Sequence, residues 1–166
     1  MINYAGIIKE SIVDGEGMRY VIFVQGCPHH CNGCHNPETW DFVEKKSIDI
    51  DTVLREVGSD SLLQGITFSG GEPFCQVNEL AKLARAIRKE FPFFDIWSFS
   101  GYTFEELYHD ASKRPLLNEI DVLVDGRFIL KERDISLRFR GSKNQRLIDV
   151  PKSLLMGEAV QWKPAR

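Results

Sequence analysis

The chain has 166 residues, of which 43% are hydrophobic and 27% are charged, so it is long enough to bury one core and too short for two comfortable ones. We therefore expect a single domain over residues 1–166. The net charge of −3 excludes the general basic excess of nucleic-acid-binding and membrane-surface proteins. Lys9 and Glu10 precede any long apolar stretch, which predicts a cytoplasmic protein without a signal peptide or membrane span.

Apolar, β-rich runs alternate with helical patterns along the chain, which favours parallel βα units. The predicted strands are residues 20–24, 65–68, 94–98, 120–124 and 146–150, the last ended by Pro151. The predicted helices are residues 48–57, residues 77–91 and a short one after the capping-box spacing at 103–106. In such folds the loops at the carboxyl ends of the strands form the ligand site.

Three of the four cysteines lie in the stretch GCPHHCNGCHNP, residues 26–37. In a reducing compartment, such a group indicates metal or redox chemistry rather than disulfides. The spacing of Cys27, Cys31 and Cys34 would also suit one face of a helix, but the prolines, glycines and asparagine among them disfavour helix. We therefore predict a loop that wraps three thiolates around one inorganic group.

The fourth ligand of that group is left open by spacing alone, since iron–sulfur clusters and structural zinc usually take four. Zinc would be completed by one of three neighbouring histidines, His29, His30 or His35. A non-catalytic zinc-binding interaction module is therefore one candidate function. Cys75 is distant in sequence, and we expect it to be a small buried or adventitious thiol.

The segment Cys27-Pro-His-His-Cys31-Asn-Gly-Cys34 has the CxxxCxxC spacing, in which this sequence resembles the radical S-adenosylmethionine (SAM) enzymes. The resemblance implies that the three cysteines bind three irons of a 4Fe-4S cluster and that the fourth iron is open to SAM. It also implies an α/β fold, the partial, open parallel β/α barrel of radical SAM proteins. Gly70-Gly71-Glu72-Pro73 matches the Gly-Gly-Glu-Pro motif with which that family receives the methionine end of SAM.

Other motifs resemble the glycyl-radical enzyme activases. They are DGEGMR at 14–19 and CHNPETW at 34–40, with WSFSGY at 97–102, VDGRF at 124–128 and RGSKNQR at 140–146 resembling the branch that acts on anaerobic ribonucleoside-triphosphate reductase. The implied activity is reductive cleavage of SAM to a 5′-deoxyadenosyl radical, which abstracts a glycine hydrogen from the reductase. The implied partners are that reductase and an electron donor such as flavodoxin or ferredoxin. Another glycyl-radical enzyme, such as pyruvate formate-lyase, is the nearest alternative partner.

The resemblance assigns site residues by position. The cluster ligands are Cys27, Cys31 and Cys34, and the candidate SAM contacts are Gly33, Cys34, His35, Gly70, Gly71, Glu72, Ser98, Ser100 and Asp125. Ser98 and Ser100 could instead bond backbone, and Asp125 before a glycine could be turn chemistry. Gly33 replaces the bulky residue common in the wider superfamily, so only backbone contact is implied there.

His29 and His30 lie between two predicted ligands and are expected at the loop surface or in support of the ligands. Residues 127–146 carry seven basic and two acidic residues, a local excess of five in an acidic chain. A solvated surface would explain this run equally well. The alternative is that the segment docks the reductase, so that charge reversal at Arg138 and Arg140 weakens the complex.

Overall fold

The computed structural model describes residues 1–164, which form one seven-stranded sheet with helices. The strands are β1 (Ile2–Ser11), β2 (Arg19–Val24), β3 (Lys46–Ile48), β4 (Gly65–Gly70), β5 (Asp95–Phe99), β6 (Val122–Asp125) and β7 (Arg146–Asp149). The helices are α1 (Ile50–Gly58), α2 (Val77–Glu90), α3 (Phe104–Tyr108), α4 (Arg114–Leu117) and α5 (Val150–Met156). Among the described residues, no helix is long and apolar enough to cross a membrane.

The strand order is β3-β1-β2-β4-β5-β6-β7, and the sheet is open and mixed. The central strands β2, β4, β5 and β6 run parallel. The outer pairings of β1 with β2, β1 with β3 and β6 with β7 are antiparallel. The parallel arrangement predicted from the sequence is therefore correct for the four central strands and wrong for β7, whereas β1 and β3 are strands that the sequence analysis did not predict. The loop from β1 to β2, residues 12–18, is too short for the crossover that parallel strands need.

The start of α1 and the end of β7 differ from the sequence prediction, because at each of them an aspartate side chain caps the N-terminus of a helix. Helix α1 starts at Ile50 rather than residue 48, after the carboxylate of Asp49 accepts a hydrogen bond from the Thr52 backbone N–H at 2.7 Å. Strand β7 ends at Asp149, whose carboxylate accepts from the backbone N–H of Lys152. Pro151 lies in the first turn of α5, where its missing N–H has no cost.

The two faces of the sheet bury different side chains. On one face, the apolar residues of the strands form the main core with α1, α2 and α4, and they include Ile22, Ile66, Phe68, Ile96 and Leu123. On the other face, Trp97, Val122 and Val124 form a smaller cluster that packs against Phe139 and Trp162. The loops after β2, β4, β5 and β6 leave the sheet at the same end, since these strands are parallel.

Candidate metal centre

The cysteine loop follows β2 and is closed at its base by backbone hydrogen bonds. The N–H of Gly26 donates to the carbonyl of Thr39 at 2.7 Å, and that of Cys27 donates to Trp40 at 3.1 Å. No helix forms between Cys27 and Cys34 in this described stretch, which confirms the predicted loop. Gly26 and Gly33 adopt φ values of +101° and +78°, a region that glycine enters at little cost.

The three thiols of the loop are partly buried, and all are free. Burial raises the pKa of Cys27 to about 11 and also raises the pKa of Cys31, because desolvation disfavours the thiolate. The backbone N–H of Asn36 lies 3.4 Å from Sγ of Cys34. Thiolates in such surroundings need compensating positive charge, and a bound metal supplies it.

Zinc and a four-iron cluster place different demands on their thiolate ligands. Within residues 1–164, no three His, Cys, Asp or Glu side chains are grouped so that they could hold one metal ion. Structural zinc requires thiolates that converge on a single point at about 2.3 Å, whereas a four-iron cluster distributes its thiolates over separate irons. Three cysteines on one loop fit such a cluster, with one thiolate for each of three irons.

Gly70 ends β4, and Gly71 follows it and packs on the base of the cysteine loop. The N–H of Gly71 donates to the carbonyl of Val24 at 2.8 Å, and that of Glu72 donates to Gly26 at 2.8 Å. A Cβ on Gly71 would lie 2.4 Å from the carbonyl oxygen of Gly26. The close approach that the glycine pair makes possible is thus to the neighbouring backbone, and it fixes the two loops together.

Glu72 is fully buried, and its carboxylate is tied to other loops. It accepts hydrogen bonds from Ser100 Oγ at 2.9 and 3.0 Å and from the Gly101 N–H at 2.8 Å. Its other partners are the Phe74 N–H at 2.9 Å and Nε2 of His29 at 2.8 Å. A buried carboxylate requires such donors. The Glu72 side chain therefore joins the loops after β2, β4 and β5, and the SAM contact predicted for it stays a prediction.

An open cleft of about 260 Å³ lies where these loops meet. The predicted site residues that line it are Cys31, Cys34, His35, Gly70, Gly71 and Ser100. Lining residues that the sequence reasoning did not select include Asp14, Phe23, Phe99, Phe128 and Gln145. Four of these five fall within the motifs quoted for the activase resemblance, so the motifs themselves carried the signal. Cys27, Gly33, Glu72, Ser98 and Asp125 do not line this cleft.

Ser98 and Asp125 lie outside the cleft for different reasons. Ser98 is fully buried and its hydroxyl donates to the carbonyl of Phe99 at 3.1 Å, which matches the backbone-bonding alternative. Asp125 is 1% exposed and accepts from Nε of Arg146 at 3.0 Å and from the Phe104 N–H at 2.7 Å. The hydrogen bond from Arg146 to Asp125 raises the pKa of the guanidinium. Asp125 borders a neighbouring, wider cleft.

Most of the chain is similar to known proteins. Residues 13–148 match the family model described as "4Fe-4S single cluster domain". The anaerobic ribonucleoside-triphosphate reductase-activating proteins of Haemophilus influenzae and Escherichia coli K12 are each 38% identical, over 87% of this chain and 96% of theirs. That of Enterobacteria phage T4 is 37% identical, over 88% of this chain and 93% of its own. Among solved structures, Escherichia coli QueE gives a TM-score of 0.46 at 22% identity, over 61% of this chain and 52% of that one.

Proposed function

Because the chain belongs to the family of anaerobic ribonucleoside-triphosphate reductase-activating proteins, we propose that it activates such a reductase by generating a glycyl radical on it. The observation that carries the proposal is that Cys31 and Cys34 share one cleft with Gly70, Gly71 and Ser100. A cluster held by the cysteine loop would thereby lie next to SAM bound in the cleft, as electron transfer from the cluster to SAM requires.

Cys27, Cys31 and Cys34 would hold three irons of a 4Fe-4S cluster. When bound and reduced, the cluster supplies the electron that cleaves SAM to methionine and a 5′-deoxyadenosyl radical, which takes a hydrogen atom from the partner's glycine. The fourth iron would be left to SAM. Both ring nitrogens of His29 are engaged by other side chains, and the ring of His30 stacks on Trp40.

The cleft walls provide the surfaces that would bind SAM. Cys34, His35, Gly70 and Gly71 lie along it, with Phe99 and Phe128 as apolar walls. Ser100 donates to Glu72 and accepts from the Tyr102 N–H, so its contact with SAM would be shared with this internal bonding. Contacts from Gly33, His35, Ser98 and Asp125 remain proposals of the resemblance, and Ser98, which lies on the helix-covered face, has the least support.

The domain organisation, the cellular location and the electron donor are part of the same proposal. Residues 1–166 would form one domain whose open sheet is the partial β/α barrel of radical SAM enzymes. Three reduced thiols and an oxygen-sensitive cluster suit the reducing cytoplasm. Since the cleavage consumes one electron for each SAM, a one-electron donor such as flavodoxin or ferredoxin would be the second protein partner.

Residues 127–146, the basic segment, would dock the reductase. Lys131, Arg133 and Arg138 are exposed, and the segment packs directly on the cysteine loop. A Cβ on Gly33 would lie 2.9 Å from Cδ1 of Leu130, and the ring of Phe128 lies 5.3 Å from that of His35. A protein bound to the basic segment would therefore be held beside the cleft where the radical forms.

Anaerobic reconstitution with iron and sulfide, followed by reduction in the presence of SAM, tests the proposal. We expect a brown protein with about four irons per chain that releases 5′-deoxyadenosine and methionine in equal amounts. A colourless protein that takes up one zinc per chain would contradict the proposal, and so would an iron-loaded protein that leaves SAM intact.

A further inference from the structure

His29 lies between the predicted ligands Cys27 and Cys31, yet its side chain is only 4% exposed. Its Nε2 is 2.8 Å from Oε1 of Glu72, and its Nδ1 is 3.2 Å from Nε of Arg127. The ring also packs edge-on against Tyr102, with centroids 4.6 Å apart. A Cβ on Gly101 would lie 2.4 Å from the imidazole, so the ring is enclosed on this side as well.

These contacts determine which nitrogen carries the proton. The guanidinium of Arg127 has no acceptor atom, so its Nε–H donates and Nδ1 of His29 accepts. Nε2 then carries the proton of the neutral ring and donates to the carboxylate of Glu72. Arg127 thus donates to His29, and His29 donates to Glu72. Both hydrogen bonds form in this one tautomer of the neutral ring. We call these three residues the latch.

The latch connects parts of the chain that are far apart in sequence. Glu72 belongs to the loop after β4 and also accepts from Ser100 and Gly101 after β5. Arg127 begins the basic segment after β6. Through His29, the cysteine loop is therefore held against three other loops at the carboxyl ends of the parallel strands.

We infer that His29 is a positioning residue, which fixes the Cys27–Cys31 span of the loop by bridging Glu72 and Arg127. This inference rests on the proposed cluster but goes beyond it, since His29 neither binds iron nor touches SAM. Loss of the bridge removes one of the three donors to Oε1 of the buried Glu72, leaving those of Ser100 and Gly101, and it frees the loop from the basic segment. The loop then releases its metal group more readily, as happens when partners that orient metal ligands are removed.

Variants at His29 separate the two arms of the latch. His29→Leu removes both ring contacts, whereas His29→Gln places an amide N–H near the position of Nε2 and keeps the donor to Glu72. His30→Asn is the matched control, because His30 is the next residue, is exposed and has φ of +48°, which asparagine tolerates. The readouts are the rate of iron loss to a chelator, the electron paramagnetic resonance (EPR) spectrum of the reduced cluster, and hydrogen exchange in cluster-free protein.

We expect His29→Leu to lose iron at least about tenfold faster than the wild type, with an altered EPR spectrum. Hydrogen exchange should rise in residues 27–35 and not in α2. His29→Gln, which keeps the Glu72 arm and loses the Arg127 arm, should lose iron more slowly than His29→Leu and severalfold faster than the wild type. His30→Asn should match the wild type. Wild-type behaviour of His29→Leu, or equal losses in the His29→Leu and His30→Asn variants, would overturn the inference.

If His29→Leu does not fold, Arg127→Met decides the question, because it removes only the exposed arm. We expect iron loss that is severalfold faster, and an unchanged rate would overturn the inference.

If the wild type binds no iron at all, the proposed function fails. Hydrogen exchange in the cluster-free His29→Gln and Arg127→Met variants then still decides whether the latch holds the loop. Both lose the Arg127 arm, so a rise in residues 27–35 is expected for both, and wild-type exchange in both would overturn the inference.

Discussion

Arg19 is fully buried on the face of the sheet that carries Trp97 and donates from Nη1 to Oδ1 of Asp95 at 2.6 Å. The guanidinium also donates to Oγ1 of Thr67 at 2.7 Å and to the carbonyl of Glu16 at 2.8 Å. Burial lowers the pKa of Arg19, and Asp95 opposes this shift. Arg19 thus fixes the loop before β2, whose Asp14 lines the cleft.

Replacing Arg19 by methionine should lower the free energy of unfolding by about 3 kcal/mol, because several buried acceptors lose their donor. This loss is at the low end of what breaking a buried ion pair costs, because the Asp95 side chain is 45% exposed and water can solvate it when Arg19 is absent. Urea unfolding of cluster-free protein measures the change. The matched variant Arg55→Met, on the exposed side of α1, should change stability by less than about 0.5 kcal/mol. Equal effects of the two variants would contradict the role given to Arg19.

Alanine at any one of Cys27, Cys31 or Cys34 should prevent formation of a stable four-iron cluster, because two thiolates remain to hold it. Iron content and the visible absorption after anaerobic reconstitution measure this loss. Cys75→Ala is the control: Cys75 is exposed, lies outside the cysteine loop and should leave both quantities unchanged. A loss of iron in Cys75→Ala equal to that in the other three would place a fourth ligand there and contradict the open iron.

Gly71→Ala should destabilise the protein by about 1–3 kcal/mol, because its Cβ meets backbone that cannot yield cheaply. Since the clash at the Gly26 carbonyl also shifts the base of the cysteine loop, SAM binding should weaken in the same variant. Gly6→Ala is the control, as nothing lies within 4 Å of its added Cβ. Thermal unfolding and equilibrium dialysis with labelled SAM measure the two effects. The structural account of the glycine pair is wrong if both variants behave alike.

Charge reversal on the basic segment should slow association with the reductase about tenfold or more at low salt, because electrostatic steering is lost. The structure changes the choice of residues, since Arg140 donates to the carbonyl of Gln145 and its reversal would also disturb the loop. The exposed residues to reverse together are Lys131, Arg133 and Arg138.

A control reverses three exposed lysines elsewhere on the chain, Lys82, Lys89 and Lys152. Surface plasmon resonance at several salt concentrations, together with iron content, checks both variants. An association rate that falls equally in both would leave net charge, rather than the basic segment, as the cause.

Local sequence patterns predicted most of the sheet and the longest helix, because alternation and helical periodicity follow directly from burial. Strand β1 was missed, since exposed residues at positions such as Lys9 and Glu10 interrupt its apolar pattern. At the site, the motifs indicated which loops carry chemistry. The hydrogen-bond partners of Glu72 could not be predicted from the sequence. His29 and Ser100 are 43 and 28 residues away, and only the folded chain brings them together.

The central claim is tested most directly by EPR of the reductase after anaerobic incubation with the reconstituted protein, a one-electron reductant and SAM. The account predicts the doublet of a glycyl radical on the reductase, dependent on SAM and absent with Cys31→Ala. Pyruvate formate-lyase, incubated in parallel, should show no such signal. An iron-loaded protein that cleaves SAM but produces no radical on the reductase would contradict the account.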